Sequence, residues 1–203
     1  MDLSKERLLN SIASSAYNIG YGADKHFATH NIYSFVPNIV SLAALSVSIY
    51  QVTSLASGIP TDWNTRLSYI MIVIALIGFY VGLTGKNVEA YSQAGEDLTA
   101  EFNSLRRMYD NVLCATEVNI GERNLELEEI VNRAKEVAIT RHPLFLSDWF
   151  AHVLFFGTRQ SDWVSNELNL TFWKDMVPCT FKIVSAFIIF LVAVFWGAKL
   201  LFS

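Results

Sequence analysis

Three long stretches almost without charge constrain this chain more than any other feature of its sequence. The first covers residues 35–55, and as a helix it would extend over about 31 Å, close to the roughly 30 Å hydrocarbon core of a bilayer. The second covers residues 67–85 and has a basic residue on each side. The third, residues 183–203, carries one lysine near its end, where the long stem can reach the headgroups. The lengths predict three transmembrane helices.

The composition supports a membrane protein. Hydrophobic residues make up 52% of the 203 residues and charged residues 17%, below the roughly 25% of an average soluble domain. The net charge of −4 supplies no basic field that would attract nucleic acid, so we expect no nucleic-acid partner. Cys114 and Cys179 have neither disulfide-scaffold nor zinc-site spacing, and the N-terminus lacks the compact apolar core of a signal peptide.

The charge distribution predicts how the spans are oriented. Turn residues such as Gly58 and Pro60 separate the first two spans, which indicates a transmembrane hairpin. Most basic residues near the span ends fall on one side of the membrane, the side expected to be cytoplasmic. This bias predicts that the N-terminus and the main soluble region lie in the cytoplasm. The basic residues on the cytoplasmic side are Lys25, Lys86, Lys174 and Lys182, against Arg66 and Lys199 on the other side.

The remaining segments are predicted to be helical, so the expected fold class is an all-α membrane protein. Residues 1–34 form an amphipathic helix that leads into the first span. Residues 86–141 form a cytoplasmic helical hairpin that continues directly from the second span, and residues 142–182 form Trp-rich cytoplasmic or interfacial helices. Apolar residues three and four apart predict a seam that pairs with another helix, within the hairpin or in an oligomer. They are Val88, Tyr91, Gly95, Leu98, Phe102, Leu105, Tyr109 and Val112.

No group of residues indicates an active site. The sequence has no phosphate-binding glycine loop, no serine nucleophile motif and no HExxH zinc motif. His26 and His30 are four residues apart and share a helix face, but no cysteine or suitably placed carboxylate completes a metal site. We therefore predict a protein that is not an enzyme and that needs no metal or cofactor.

Two sequence patterns in the predicted spans, one of small residues and one of polar residues, concern how the membrane helices associate. Gly78 and Gly82 in the second span have the GxxxG spacing that lets two helices approach closely. Ala193 and Gly197 in the third span have the same spacing of small residues. The alternative is that glycine is simply common in membrane helices. The first span has a polar stripe on one broad face, which should meet another helix or a water-filled pore because lipid cannot satisfy polar groups. The stripe comprises Ser34, Asn38, Ser41, Ser48 and Gln51.

The layout and local sequence together resemble the SLATT family of bacterial two-transmembrane effector domains. Residues 23–34 are similar to the basic and polar segment that precedes the first span in that family. Residues 89–98 and 102–107 are similar to its pattern of small residues, an aromatic residue and a Leu-Arg pair after the second span. The resemblance covers residues 5–140, and the third span and the Trp-rich segment depart from the two-span minimum.

This resemblance implies a membrane effector of anti-phage defence that assembles, permeabilises the inner membrane and halts the infected cell by abortive infection. It also implies an upstream nucleotide-signalling or sensor protein as a partner, besides lipid and further copies of the chain. The first hypothesis is a self-associating effector whose polar stripe lines a water-filled path. The alternative is a non-conducting membrane anchor whose cytoplasmic helices dock a partner protein.

Overall fold

A computed structural model describes residues 3–56, 61–85, 87–140, 142, 144–157, 159, 161–171, 182 and 185. The described residues contain six helices and no strand, which confirms the predicted all-α class. The predicted third span lies outside the described residues, apart from residue 185, as do its Ala193 and Gly197. In chain order the helices are α1 (Leu3–Ala56), α2 (Thr61–Thr84), α3 (Val88–Cys114), α4 (Ile120–Val137), α5 (Leu144–Gly157) and α6 (Asp162–Glu167).

Helix α1 is one helix of 54 residues with two different surroundings. At about 1.5 Å per residue it is roughly 81 Å long, far more than a bilayer core requires. Its first half is covered by protein, with Leu9 and Ile12 at 0% exposure. Its second half exposes large apolar side chains, including Ile39 at 62% and Leu42 at 65%. The predicted N-terminal helix and the predicted first span are therefore two halves of one continuous helix.

Helices α2 and α3 follow one another along α1 in the antiparallel direction. The Lys5 ammonium donates to the carbonyls of Leu113 and Ala115, at 3.1 and 2.8 Å, beside the end of α3. At the other end, Gln51 Nε2 donates to Ser68 Oγ in α2, at 2.8 Å. The first half of α1 thus pairs with α3 and its second half with α2.

The passage from α2 to α3 differs from the uninterrupted helix that we predicted. Helix α2 ends at Thr84, and Asn87 has a φ of 57°, in the left-handed region, immediately before α3 begins. A left-handed residue cannot continue a right-handed helix, so the two helices are separated by a short break. The break lies beside Tyr33, where α1 changes from protein contact to exposed apolar surface.

The core is built around the predicted seam of α3, and its main partner is α1. Seven of the eight seam residues are buried, and Val88 is half-buried. Five of them share one apolar cluster with the first half of α1, joined by Ile130 and Ala134 of α4; these five are Leu98, Phe102, Leu105, Tyr109 and Val112. The buried residues of α1 in this cluster are Leu8, Leu9, Ile12, Ala16, Ile19 and Ala23.

The last three described helices pack around this pair. In α4, Arg133 Nε lies 2.8 Å from Glu101 Oε1 of α3. Helix α5 lies along α1 and inserts the fully buried Phe155. Helix α6 contacts α3, where Tyr109 donates to Glu167 at 2.6 Å. All three helices lie beside the first half of α1, away from its exposed apolar half.

Candidate functional site

The exposed half of α1 and nearly all of α2 form an apolar surface suited to lipid. Two helical segments, Leu3–Thr53 and Asp62–Thr84, contain stretches long and apolar enough to cross a membrane. In α2 the large side chains point outward, with Phe79 at 64% and Leu76 at 61% exposure. Such an apolar surface is expected where lipid rather than water surrounds the helices.

The lack of a side chain at Gly78 allows close contact between α1 and α2. A Cβ added to Gly78 would lie 2.8 Å from Val40 Cγ1, so only glycine permits this approach. A Cβ added to Gly82 would meet none of the residues that the structure describes within 4 Å. Gly82 therefore lies open, on a groove of 450 Å³ between the two helices that also includes Ser41 and Ala75.

The polar stripe lies to the side of the face that contacts α2. Tyr33 contacts Gly85, directly after α2, and Val40 contacts Gly78 within α2. Ser34 and Ser41 each follow one of these contact residues by a single position, which turns the helix by about 100°. Asn38 and Ser48 lie on the same side as these serines by the same spacing. Gln51, the remaining stripe residue, instead faces α2 through its bond to Ser68.

The exposed stripe residues make hydrogen bonds with their own helix. Ser41 Oγ donates to the Pro37 carbonyl at 2.8 Å, and Ser48 Oγ donates to the Ala44 carbonyl at 2.7 Å. Asn38 Nδ2 donates to the Ser34 carbonyl at 2.9 Å. A serine bonded in this way tolerates lipid, whereas an asparagine amide has further donor and acceptor positions to satisfy. Asn38 is therefore the stripe residue that most requires a polar neighbour.

Helix α5 contacts one flank of the first half of α1. Tyr17 packs edge-on against Phe155 of α5, with ring centroids 5.3 Å apart. Farther along, Asp24 binds Arg159, the residue that follows α5 after a short turn. Helix α5 and the residue that follows it therefore cover one flank of the first half of α1.

A histidine pair holds the connection between α4 and α5 against α1. His26 Nδ1 donates to the Gly22 carbonyl at 2.7 Å, and its Nε2 accepts from the Ile139 N–H at 3.0 Å. His142 Nδ1 lies 2.9 Å from the Thr29 hydroxyl, and the two imidazole rings are 4.6 Å apart. Since a carbonyl only accepts and an N–H only donates, the bonds of His26 require its neutral form.

Acidification is expected to destabilise this connection. Burial, followed by the proximity of His26 and Lys25, lowers the pKa of His142 from 6.5 to about 4. Because the unfolded chain binds the proton more readily, stability should fall as pH drops below 6.5. The melting temperature of the full chain in detergent should decrease from pH 7 to pH 5. His142→Asn keeps a donor and cannot be protonated, so it should reduce this decrease, and an unchanged slope would contradict the assignment.

The sequence does not indicate two contacts of this region. Asp24 forms a two-pronged ion pair with Arg159, at 2.7 and 2.9 Å, for which no sequence pattern gives a signal. His26 is buried at 2% exposure, whereas His30 on the same face is half-buried. The partners of Asp24 and His26 are more than 100 residues away, so no local pattern indicates them. Among the described residues, no three His, Cys, Asp or Glu side chains come together as a metal site.

Comparison with known proteins gives one match. A family model described as "SMODS and SLOG-associating 2TM effector domain 6" matches residues 3–185, which include all six helices. No curated protein and no solved structure matches the chain.

Proposed function

Since the chain belongs to the family of SMODS and SLOG-associating 2TM effector domains, the SLATT family, we propose that it is a membrane effector that self-associates and permeabilises the membrane when triggered. The observation that carries this proposal is the exposed flank of α1 that bears Ser34, Asn38, Ser41 and Ser48. Within the described residues no neighbouring helix covers this flank in the membrane half. Polar groups are costly in lipid, so a second copy of α1 or a water-filled path is the favoured surrounding.

The open groove beside the stripe supports close approach by another helix. Among the described residues nothing would obstruct a side chain at Gly82, although glycine in a helix interior costs about 1 kcal/mol relative to alanine. Small residues in membrane helices are typical of helix–helix interfaces. In this proposal the stripes of several copies face a common centre, and the cytoplasmic helices control whether that centre opens.

The proposed orientation follows from the basic residues at the span ends. Basic residues such as Lys25 and Lys86 support a cytoplasmic location for the first half of α1 and for α3. The folded part then faces the compartment where an upstream nucleotide-signalling or sensor protein would act. The membrane is accordingly proposed to be the bacterial inner membrane, and the outcome of permeabilisation an abortive infection response.

The test is membrane potential in single bacterial cells, read with a voltage-sensitive dye while the full chain is induced. The native chain should depolarise the cells, and the variant with Asn38→Leu and Ser41→Leu should leave the potential at the level of uninduced cells. Leucine keeps the span apolar and helical while removing the polar groups. The amount of protein in the membrane fraction must be equal for both.

A second double variant at the same two positions tests whether the effect depends on the polar groups or on any change at Asn38 and Ser41. Asn38→Gln with Ser41→Thr retains an amide and a hydroxyl and should still depolarise the cells. Equal depolarisation by the leucine and the polar variants would refute a path lined by the stripe. Full potential with the native chain would favour a non-conducting anchor, whose cytoplasmic helices dock a partner protein.

A further inference from the structure

Two interruptions of helical backbone lie at the level where the exposed apolar surface of α1 begins. Helix α1 contains Pro37, which has no N–H, so the helical hydrogen bond from position 37 to the Tyr33 carbonyl cannot form. Beside it, the left-handed Asn87 separates α2 from α3. Tyr33 marks the common level because it contacts Gly85, where an added Cβ would lie 2.9 Å from Tyr33 Cδ1. Helix α1 is therefore weakened beside the break between α2 and α3.

Side chains next to Pro37 also bond to the backbone of α1. Ser41 Oγ donates to the Pro37 carbonyl at 2.8 Å, and Asn38 Nδ2 donates to the Ser34 carbonyl at 2.9 Å. Such bonds compete with backbone N–H groups for the carbonyls and often bend a helix. A missing bond at a proline is the usual cause of a sharp kink. Helix α1 can therefore bend at this point while both of its halves stay helical.

The parts of the molecule on the two sides of this level are each held together by contacts of their own. In the cytoplasmic part, which comprises the first half of α1 and helices α3–α6, Asp24 binds Arg159 beyond the end of α5. In the membrane part, which comprises the second half of α1 and helix α2, Gln51 bonds to Ser68. Of the six described helices, only α1 and the passage from α2 to α3 cross the level between the two parts.

We propose that Pro37 and Asn87 form a hinge about which the cytoplasmic part tilts against the membrane part. Asn87 lies between two helices, so a change in its φ leaves the hydrogen bonds of both helices in place. Hinges commonly consist of a few such residues at the ends of elements. Asn38 and Ser41 lie within about one turn of Pro37, so the tilt reaches the polar stripe. In this regulatory role the inference rests on the proposed function.

Distances between spin labels, measured by double electron–electron resonance in lipid nanodiscs, test the hinge without any measurement of ion flow. The native cysteines are removed by Cys114→Ser and Cys179→Ser. Labels are attached at Asp62→Cys, at the end of α2 far from the hinge, and at the exposed positions Leu125→Cys in α4 and Val153→Cys in α5. Dilution with unlabelled chain keeps each measured distance within one molecule.

We expect broad distance distributions for the two pairs that include position 62 and a narrow one for the pair 125–153, which lies within the cytoplasmic part. A tilt of about 20° to either side, typical of proline kinks, should roughly double the width that the labels alone produce. Pro37→Ala restores the helical bond and should remove about half of the added width, because both connections must bend together. The control Ser46→Ala removes a side-chain bond to the backbone elsewhere in the same span and should leave the width unchanged.

Three results would overturn the proposal. Distributions for position 62 as narrow as that of the pair 125–153 would mean that the two parts form one rigid unit. An unchanged width in Pro37→Ala would place the motion away from Pro37. If the native chain depolarises cells, equal depolarisation by Pro37→Ala would remove the regulatory role. Full potential with the native chain would contradict the proposed function, but it would leave the measured distances as they are.

Discussion

Replacing Asp24 with alanine is expected to lower the free energy of unfolding by about 3–5 kcal/mol, because the Arg159 guanidinium would stay buried without its counter-charge. The two side chains are only 7% and 12% exposed. Arg159 also lies 5.1 Å from the Phe102 ring and donates to Thr99, so it cannot leave without disturbing α3. Denaturant titration of the full chain in detergent, followed by tryptophan fluorescence, measures the change.

Two controls show whether burial of the charge causes this loss. Arg133→Ala breaks the exposed ion pair with Glu101 and should change stability little, since surface pairs contribute little. The double variant with Asp24→Leu and Arg159→Met should regain most of the stability lost in Asp24→Ala, because both buried charges are gone. If Asp24→Ala and Arg133→Ala had equally small effects, the ion pair would not hold α5 to α1.

The second large effect is expected at Gly20, where α1 passes between two aromatic rings. A Cβ there would lie 2.8 Å from Phe102 Cδ2 and 2.9 Å from Phe155 Cε2. Both rings are almost fully buried, at 2% and 0% exposure, so neither can move aside freely. Gly20→Ala should therefore destabilise the protein by about 1–3 kcal/mol, as overpacking of a core does. The same denaturant titration measures this loss.

The matched control lies two residues farther along the same helix. Within the described part of the chain, a Cβ at Gly22 would meet only Leu98 Cδ1, at 3.9 Å, an ordinary contact. Gly22→Ala should stabilise the protein by up to about 1 kcal/mol, because alanine favours the helix interior more than glycine does. Opposite signs at the two glycines are the expected result. A gain in stability at both would mean that the rings leave room for a side chain at Gly20.

Periodicity along the chain was sufficient to predict the helices and the buried face of α3. Leu98, Phe102 and Leu105 follow each other at spacings of three and four, which a helix turns into one face. The length of the uncharged stretches likewise predicts the two membrane helices, because a bilayer core requires a fixed length. These features depend on neighbours within one or two helical turns.

The arrangement of the helices depends on contacts that are distant in sequence. The seam of α3 does not specify its partner, since any apolar face of similar length would match, and the main partner proved to be α1. Asp24 and Arg159 are 135 residues apart, and each alone resembles an ordinary surface charge. The left-handed Asn87 leaves only a weak trace in the sequence, the Gly-Lys-Asn at residues 85–87.

The candidate site was only partly predictable for the same reason. The spacing of Ser34, Asn38 and Ser41 places them on one side of α1, which the sequence alone establishes. That Gln51 faces α2 depends on the packing of whole helices. The exposed part of the stripe is therefore narrower than predicted and is centred on Asn38.

The central claim is that the exposed stripe of α1 forms a path for ions when copies of the chain assemble. Ion flux across the membrane of liposomes that contain the purified full chain tests this claim most directly. The account predicts flux with the native chain and with Asn38→Gln plus Ser41→Thr, and none with Asn38→Leu plus Ser41→Leu. Equal flux from the leucine variant, or no flux from the native chain, would contradict it.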